Sequence, residues 1–76
     1  MSQTADTVLE IATEYLGPAA RTLLERQTRF HMNGLQYNDI GPEHCVDLAK
    51  WVKIASAMFI ETESADELAA RISGIR

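Results

Sequence analysis

Apolar residues recur at intervals of three and four along most of the chain, and polar residues fill the positions between them. This spacing is typical of α-helices with one buried face, and glycine and proline interrupt it at 17–18, 34 and 41–42. No stretch shows the strict apolar–polar alternation of a half-buried strand. The pattern therefore predicts an all-α fold. Its helices are expected over about residues 5–16, 18–32, 42–59 and 65–73.

Local signals mark the ends of these helices. Pro18 stands at a first helical position, where a missing backbone N–H costs nothing, and Gly34 suits the left-handed residue after a helix. Ser64 and Glu67 match a capping box, so the last helix is expected to be short. We predict a compact bundle of three substantial helices plus a short C-terminal helix, forming a single helical domain over residues 1–76.

The third helix carries more apolar residues than one buried face requires. Its apolar arc covers roughly 220°, whereas a surface helix buries a stripe little wider than about 100°. The expected core stripe consists of Cys45, Leu48, Val52, Ala55 and Phe59. The arc is widened by Trp51, Ile54 and Met58. Either the other three helices wrap this one, or the three additional residues form an interface, where tryptophan and methionine are enriched.

Gln27 and His31 lie one turn apart on the inward face of the second helix. Burying either side chain without a partner would cost about 1–3 kcal/mol. We therefore expect a buried polar network that ties this helix to the following loop, through Tyr37, Asn38 or Asp39. The alternative is a polar pocket that binds a small ligand or a metal on the same face.

His31, His44 and Cys45 are the candidate metal ligands. His44 and Cys45 are neighbours on a helix and diverge by about 100°, so they do not face one ion. The sequence contains no CxxC, HxxxH or HExxH pattern. Cys45 begins the apolar stripe, which predicts an inert buried thiol instead of a nucleophile. We predict no metal, no cofactor and no catalytic residue.

The composition limits which classes of partner are expected. Among 76 residues, 11 are acidic and 7 are lysine or arginine, giving a net charge of −4. Nucleic-acid binding requires cations that neutralise phosphates, so a helix-turn-helix formed by the second and third helices is only a lesser alternative. The single cysteine fits a reducing compartment, and no signal peptide or membrane-spanning run is present. These features predict a cytoplasmic protein that does not bind membranes.

Residues 15–26, YLGPAARTLLER, carry a resemblance. They are similar to the opening of small helical domains of unknown function in bacterial and archaeal proteins, which are sometimes fused to signalling modules such as receiver or kinase domains. The resemblance implies a cytoplasmic regulatory or interaction module without catalysis, and it implies no active-site residue. Together with the apolar arc, it predicts a non-catalytic module that forms a homodimer through the third helix or binds another protein there.

Overall fold

The computed structural model describes residues 2–75, which contain four α-helices, three short 3-10 turns and no strand. The all-α class is therefore confirmed. The helices are α1 (Gln3–Leu16), α2 (Ala20–His31), α3 (Cys45–Ser56) and α4 (Thr62–Ser73). The 3-10 turns are Gly17–Ala19, Tyr37–Asp39 and Pro42–His44. Within residues 2–75, no helix has both the length and the apolarity needed to cross a bilayer.

The C-terminal helix is the main departure from the predicted architecture. α4 has 12 residues, as many as α2 and α3, so the prediction of a short last helix is wrong. The helix begins directly after the extended residue Glu61, whose carbonyl accepts a 2.9 Å hydrogen bond from the N–H of Ala65. Ser64 consequently lies inside the helix and does not cap it. Ala65 is buried like Leu68 and Ile72, so the additional turn lengthens the buried stripe.

The end of α3 also differs from the prediction. The helix stops at Ser56, whose carbonyl accepts 2.9 Å hydrogen bonds from the N–H groups of both Phe59 and Ile60. Residues 57–60 contain neither glycine nor proline, so the sequence carries no strong stop signal there. Because the backbone turns before it, Phe59 leaves the expected core stripe and is exposed.

The core lies where the four helices meet. α3 packs most extensively on α4, while α1 packs on both α2 and α4. The radius of gyration is 10.7 Å, close to the value of about 11 Å expected for a folded chain of this length. The largest fully buried apolar side chains are Val8, Leu24, Ile40, Leu48, Val52, Leu68 and Ile72.

The connection between α2 and α3, residues 32–44, is held against the start of α1. The buried hydroxyl of Tyr37 donates a 2.6 Å hydrogen bond to the carbonyl of Ala5. The hydroxyl of Ser2 donates a 2.7 Å bond to the carbonyl of Ile40, and it caps α1 by accepting from the N–H of Ala5. These bonds place the connection at the N-terminal end of α1. A separate face, between α2 and α3, is left open to solvent.

Candidate functional site

An open groove of about 480 Å³ lies between α2 and α3. Leu23 and Gln27 are the buried residues along it, and Ala55 of α3 is half-buried. Residues near the C-terminal end of each helix extend the groove, with Phe30 on α2 and Met58 just after α3. The groove therefore follows the inner edges of two packed helices.

Four large apolar side chains at this groove are exposed. The exposed fractions are 65 % for Phe30, 57 % for Ile54, 81 % for Met58 and 73 % for Phe59. Val46 is the remaining large apolar residue that is exposed within residues 2–75, and it does not line the groove. A cluster of exposed apolar side chains bordered by polar residues is typical of a binding surface.

This exposure separates the two explanations of the wide apolar arc. The other helices leave Ile54 and Met58 uncovered, and Trp51 is half-buried. Wrapping by the chain's own helices therefore does not explain Ile54 and Met58. All three predicted interface residues line the groove.

A stacked aromatic pair joins the two sides of the groove. The rings of His31 and Trp51 lie with centroids 4.1 Å apart and planes 8° from parallel. The Nζ atom of Lys50 lies 5.2 Å from the centroid of Trp51, at the distance of a cation–π contact. The pair bridges the last residue of α2 and the second turn of α3, so it ties the groove's two walls together.

The predicted buried polar network is not formed. His31 is exposed, so its prediction as a buried residue is wrong, and its contact with Trp51 replaces the expected hydrogen bonds. Gln27 is buried, but its side-chain N–H group donates to the carbonyl of Leu23 in its own helix, at 3.2 Å. α2 reaches the following loop through Arg21 instead, which donates to the side-chain oxygen of Asn38 at 3.2 Å.

The candidate metal ligands have other partners. The Nδ1 atom of His44 accepts a 2.9 Å hydrogen bond from the N–H of Gly41. Cys45 is buried, and its thiol points to the carbonyl of Gly41 at 3.8 Å. Burial raises the pKa of the Cys45 thiol, with a smaller contribution from the nearby Glu43 carboxylate, so the thiol stays protonated. Within residues 2–75, no three His, Cys, Asp or Glu side chains form a group that could hold a metal ion.

The α2–α3 pair also departs from a helix-turn-helix. That motif joins its helices by a turn of about three or four residues. Here residues 32–44 lie between the two helices and include two 3-10 turns. The short turn that the DNA-binding alternative requires is therefore not found between α2 and α3.

The charged side chains placed at the groove are basic. None of the residues that line it is acidic, although the chain contains 11 aspartates and glutamates. Arg26 lines the groove, Lys50 lies at Trp51, and the guanidinium of Arg29 is 6.0 Å from the centroid of Phe30. The arrangement offers apolar contact and positive charge.

Sequence reasoning missed Phe30 and Phe59 as groove residues. Phe59 continues the spacing of the α3 core stripe, so it was expected inside. Phe30 shares the helical face of buried Leu23, a position that is typical of a core residue. Both lie at the C-terminal ends of their segments, beyond the reach of the packed core. The one feature of the sequence that could have indicated their exposure was their position near the ends of predicted helices.

The whole chain was compared with known proteins. No protein-family model, curated protein or solved structure matches it. The resemblance of residues 15–26 to small helical domains therefore stays a prediction. These residues form the end of α1, the 3-10 turn Gly17–Ala19 and the first turns of α2.

Proposed function

We propose that the protein is a small, non-catalytic interaction module that self-associates by closing its α2–α3 groove on a second copy. The observation that carries the proposal is the cluster of exposed Phe30, Ile54, Met58 and Phe59 around one groove. Removing such apolar surface from water stabilises an assembly by about 25 cal/mol for each Å² buried. We place the module in the cytoplasm, which the single cysteine supports.

A second copy suits this surface because one face carries both a recess and a projection. Met58 and Phe59, which follow α3, are the two most exposed apolar side chains at the groove. In a two-fold symmetric dimer, a contact of residue i with residue j is repeated as j with i. The Met58–Phe59 corner of each copy can therefore enter the groove of the other. A domain of this size also gains stability from a second copy.

The test is the molar mass by light scattering over a wide range of protein concentration. We expect the mass to rise from one chain to two in the wild type, and to stay at one chain in Ile54→Glu and Met58→Glu. Val46→Glu is the matched control, because it adds the same charge to an exposed apolar position of α3 outside the groove. A wild type that stays at one chain throughout contradicts self-association. A Val46→Glu variant that dissociates equally contradicts closure through the groove.

Small-ligand binding in the same groove is the second candidate, and the groove's volume favours it. Ligand sites typically enclose about 300–1,000 Å³, and this groove has about 480 Å³ with Gln27 and His31 along it. Metal binding in the groove has no such support, because within residues 2–75 no three His, Cys, Asp or Glu side chains lie together as ligands for an ion. A screen of small apolar compounds against the wild type, at concentrations where light scattering gives a single chain, tests it. Binding that is lost in His31→Ala, with the helical content kept, would favour this function.

A further inference from the structure

The groove has a charge pattern that a second copy does not satisfy. We propose that it also docks an amphipathic helix of another protein, with an apolar stripe flanked by aspartate and glutamate, and that this helix displaces the second copy. The inference rests on the proposed function, because the occupant uses the same groove.

Within residues 2–75, the cations near the groove form no ion pair with an acidic side chain. Arg21 pairs with Glu25, Lys53 with Asp66 and Arg71 with Glu14, at distances of 2.9 to 3.2 Å. Within residues 2–75, Arg26, Arg29 and Lys50 form no such ion pair. These are the three cations placed at the groove or at its aromatic residues.

The same cations weaken a symmetric dimer. In a symmetric dimer closed at the groove, Arg26 of one copy meets a groove of the other copy that is lined by no acidic residue. Like charges that face each other across an interface oppose association, whereas acidic residues on a partner would pair with them. An acidic helix therefore supplies ion-pair partners that the groove of a second copy does not offer.

The shape of the site favours a helix over a membrane surface. A partner helix inserts apolar residues at positions i, i+3 or i+4, and i+7 into a concave groove between two helices. Within α3 the groove runs from Trp51 to Ala55, about 6 Å at the helical rise, and Met58 in the turn after the helix lengthens it. It can contact one to two turns of a docked helix. A bilayer is flat at this scale and would leave buried Leu23 and Gln27 without contact.

The test uses two synthetic 14-residue helical peptides with the same leucine stripe. One has glutamate at the four flanking positions, and the other has lysine there. Binding to the full chain is measured by calorimetry at low salt and at 0.5 M salt. We expect the glutamate peptide to bind roughly eightfold more tightly or better at low salt, since each of three surface ion pairs changes affinity by a factor of about two to five. Salt should reduce the difference.

Two protein variants locate the effect. The double variant Arg26→Glu/Lys50→Glu should reverse the preference between the peptides. Arg71→Gln, which removes a cation on α4 that pairs with Glu14, should keep the wild-type preference. Equal binding of both peptides, or binding of neither, overturns the inference. So does binding to phosphatidylserine vesicles that depends on Arg26 and Lys50 when neither peptide is preferred.

Light scattering of the same samples separates this inference from self-association. A wild type that dimerises and does not discriminate between the peptides retains the proposed function and overturns the acidic partner. A wild type that stays at one chain and prefers the glutamate peptide supports the acidic partner and contradicts self-association. When both hold, adding the glutamate peptide should return the dimer to single chains, and the lysine peptide should not.

Discussion

Tyr37 holds the α2–α3 connection to α1 through one buried hydrogen bond. Its hydroxyl donates to the carbonyl of Ala5 at 2.6 Å, and both residues are buried. Tyr37→Phe removes the donor and leaves that carbonyl without this partner, so we expect the free energy of unfolding to fall by about 1–2 kcal/mol. Urea unfolding measures it. Tyr15→Phe is the control, because the Tyr15 hydroxyl donates to Glu67 at the surface. This substitution should lower the free energy of unfolding less than Tyr37→Phe does.

The same residue predicts a pH dependence of stability. Burial raises the pKa of Tyr37 far above the value of about 10 for an exposed tyrosine. The charge of Arg21 partly opposes this shift, and nearby acidic groups such as Asp6 add to it. The native state keeps the phenol proton where the unfolded chain loses it. Stability present below about pH 10 is therefore lost above it, at about 1.4 kcal/mol per pH unit. Unfolding in urea from pH 9 to about 11 should show this loss in the wild type and a smaller one in Tyr37→Phe. An equal loss of unfolding free energy with pH in the two proteins would contradict the assignment to Tyr37.

At the scale of elements, the junction of α1 and α2 depends on one glycine. Gly17 has φ 60° and ψ −140°, a conformation that residues with a Cβ rarely adopt, although a Cβ there would meet no atom within 4 Å. We expect Gly17→Ala to lower the free energy of unfolding by about 1–3 kcal/mol through backbone strain alone. Gly74→Ala is the matched control, because Gly74 has φ −80° and its Cβ would make only ordinary contacts. Similar losses in urea unfolding would argue against strain at Gly17.

Helix identity could be predicted from the sequence more fully than helix ends. The three-and-four spacing identifies all four helices, since buried side chains must lie on one face of each. The end of α3 could not be predicted, because hydrogen bonds to Ser56 set it and no breaker residue marks it. The start of α4 was misplaced because burial of Ala65 outweighs the Ser64 capping signal. Tertiary packing thus set the start of α4, and local backbone hydrogen bonds set the end of α3.

At the scale of the whole molecule, charge is divided between the helices. α1 contains Asp6, Glu10 and Glu14 and no basic residue, whereas α2 contains three arginines and one glutamate. The apolar groove lies on the basic side, next to α2 and α3. The helical wheel of α3 was sufficient to indicate Trp51, Ile54 and Met58, but the groove itself depends on how α2 and α3 pack. No pattern within a single helix carries that information.

Self-association predicts that stability depends on protein concentration. Binding a second copy stabilises the folded state by mass action, by about 1.4 kcal/mol per dimer for each tenfold rise above the dissociation constant. Half of that per chain corresponds to a rise in Tm of roughly 3 to 5 °C. We expect calorimetry to show this rise for the wild type and for Val46→Glu, and a constant Tm for Met58→Glu. Since Met58 is exposed, its substitution should leave the Tm at low concentration unchanged. A Tm that rises equally in Met58→Glu would place the dimer contact outside the groove.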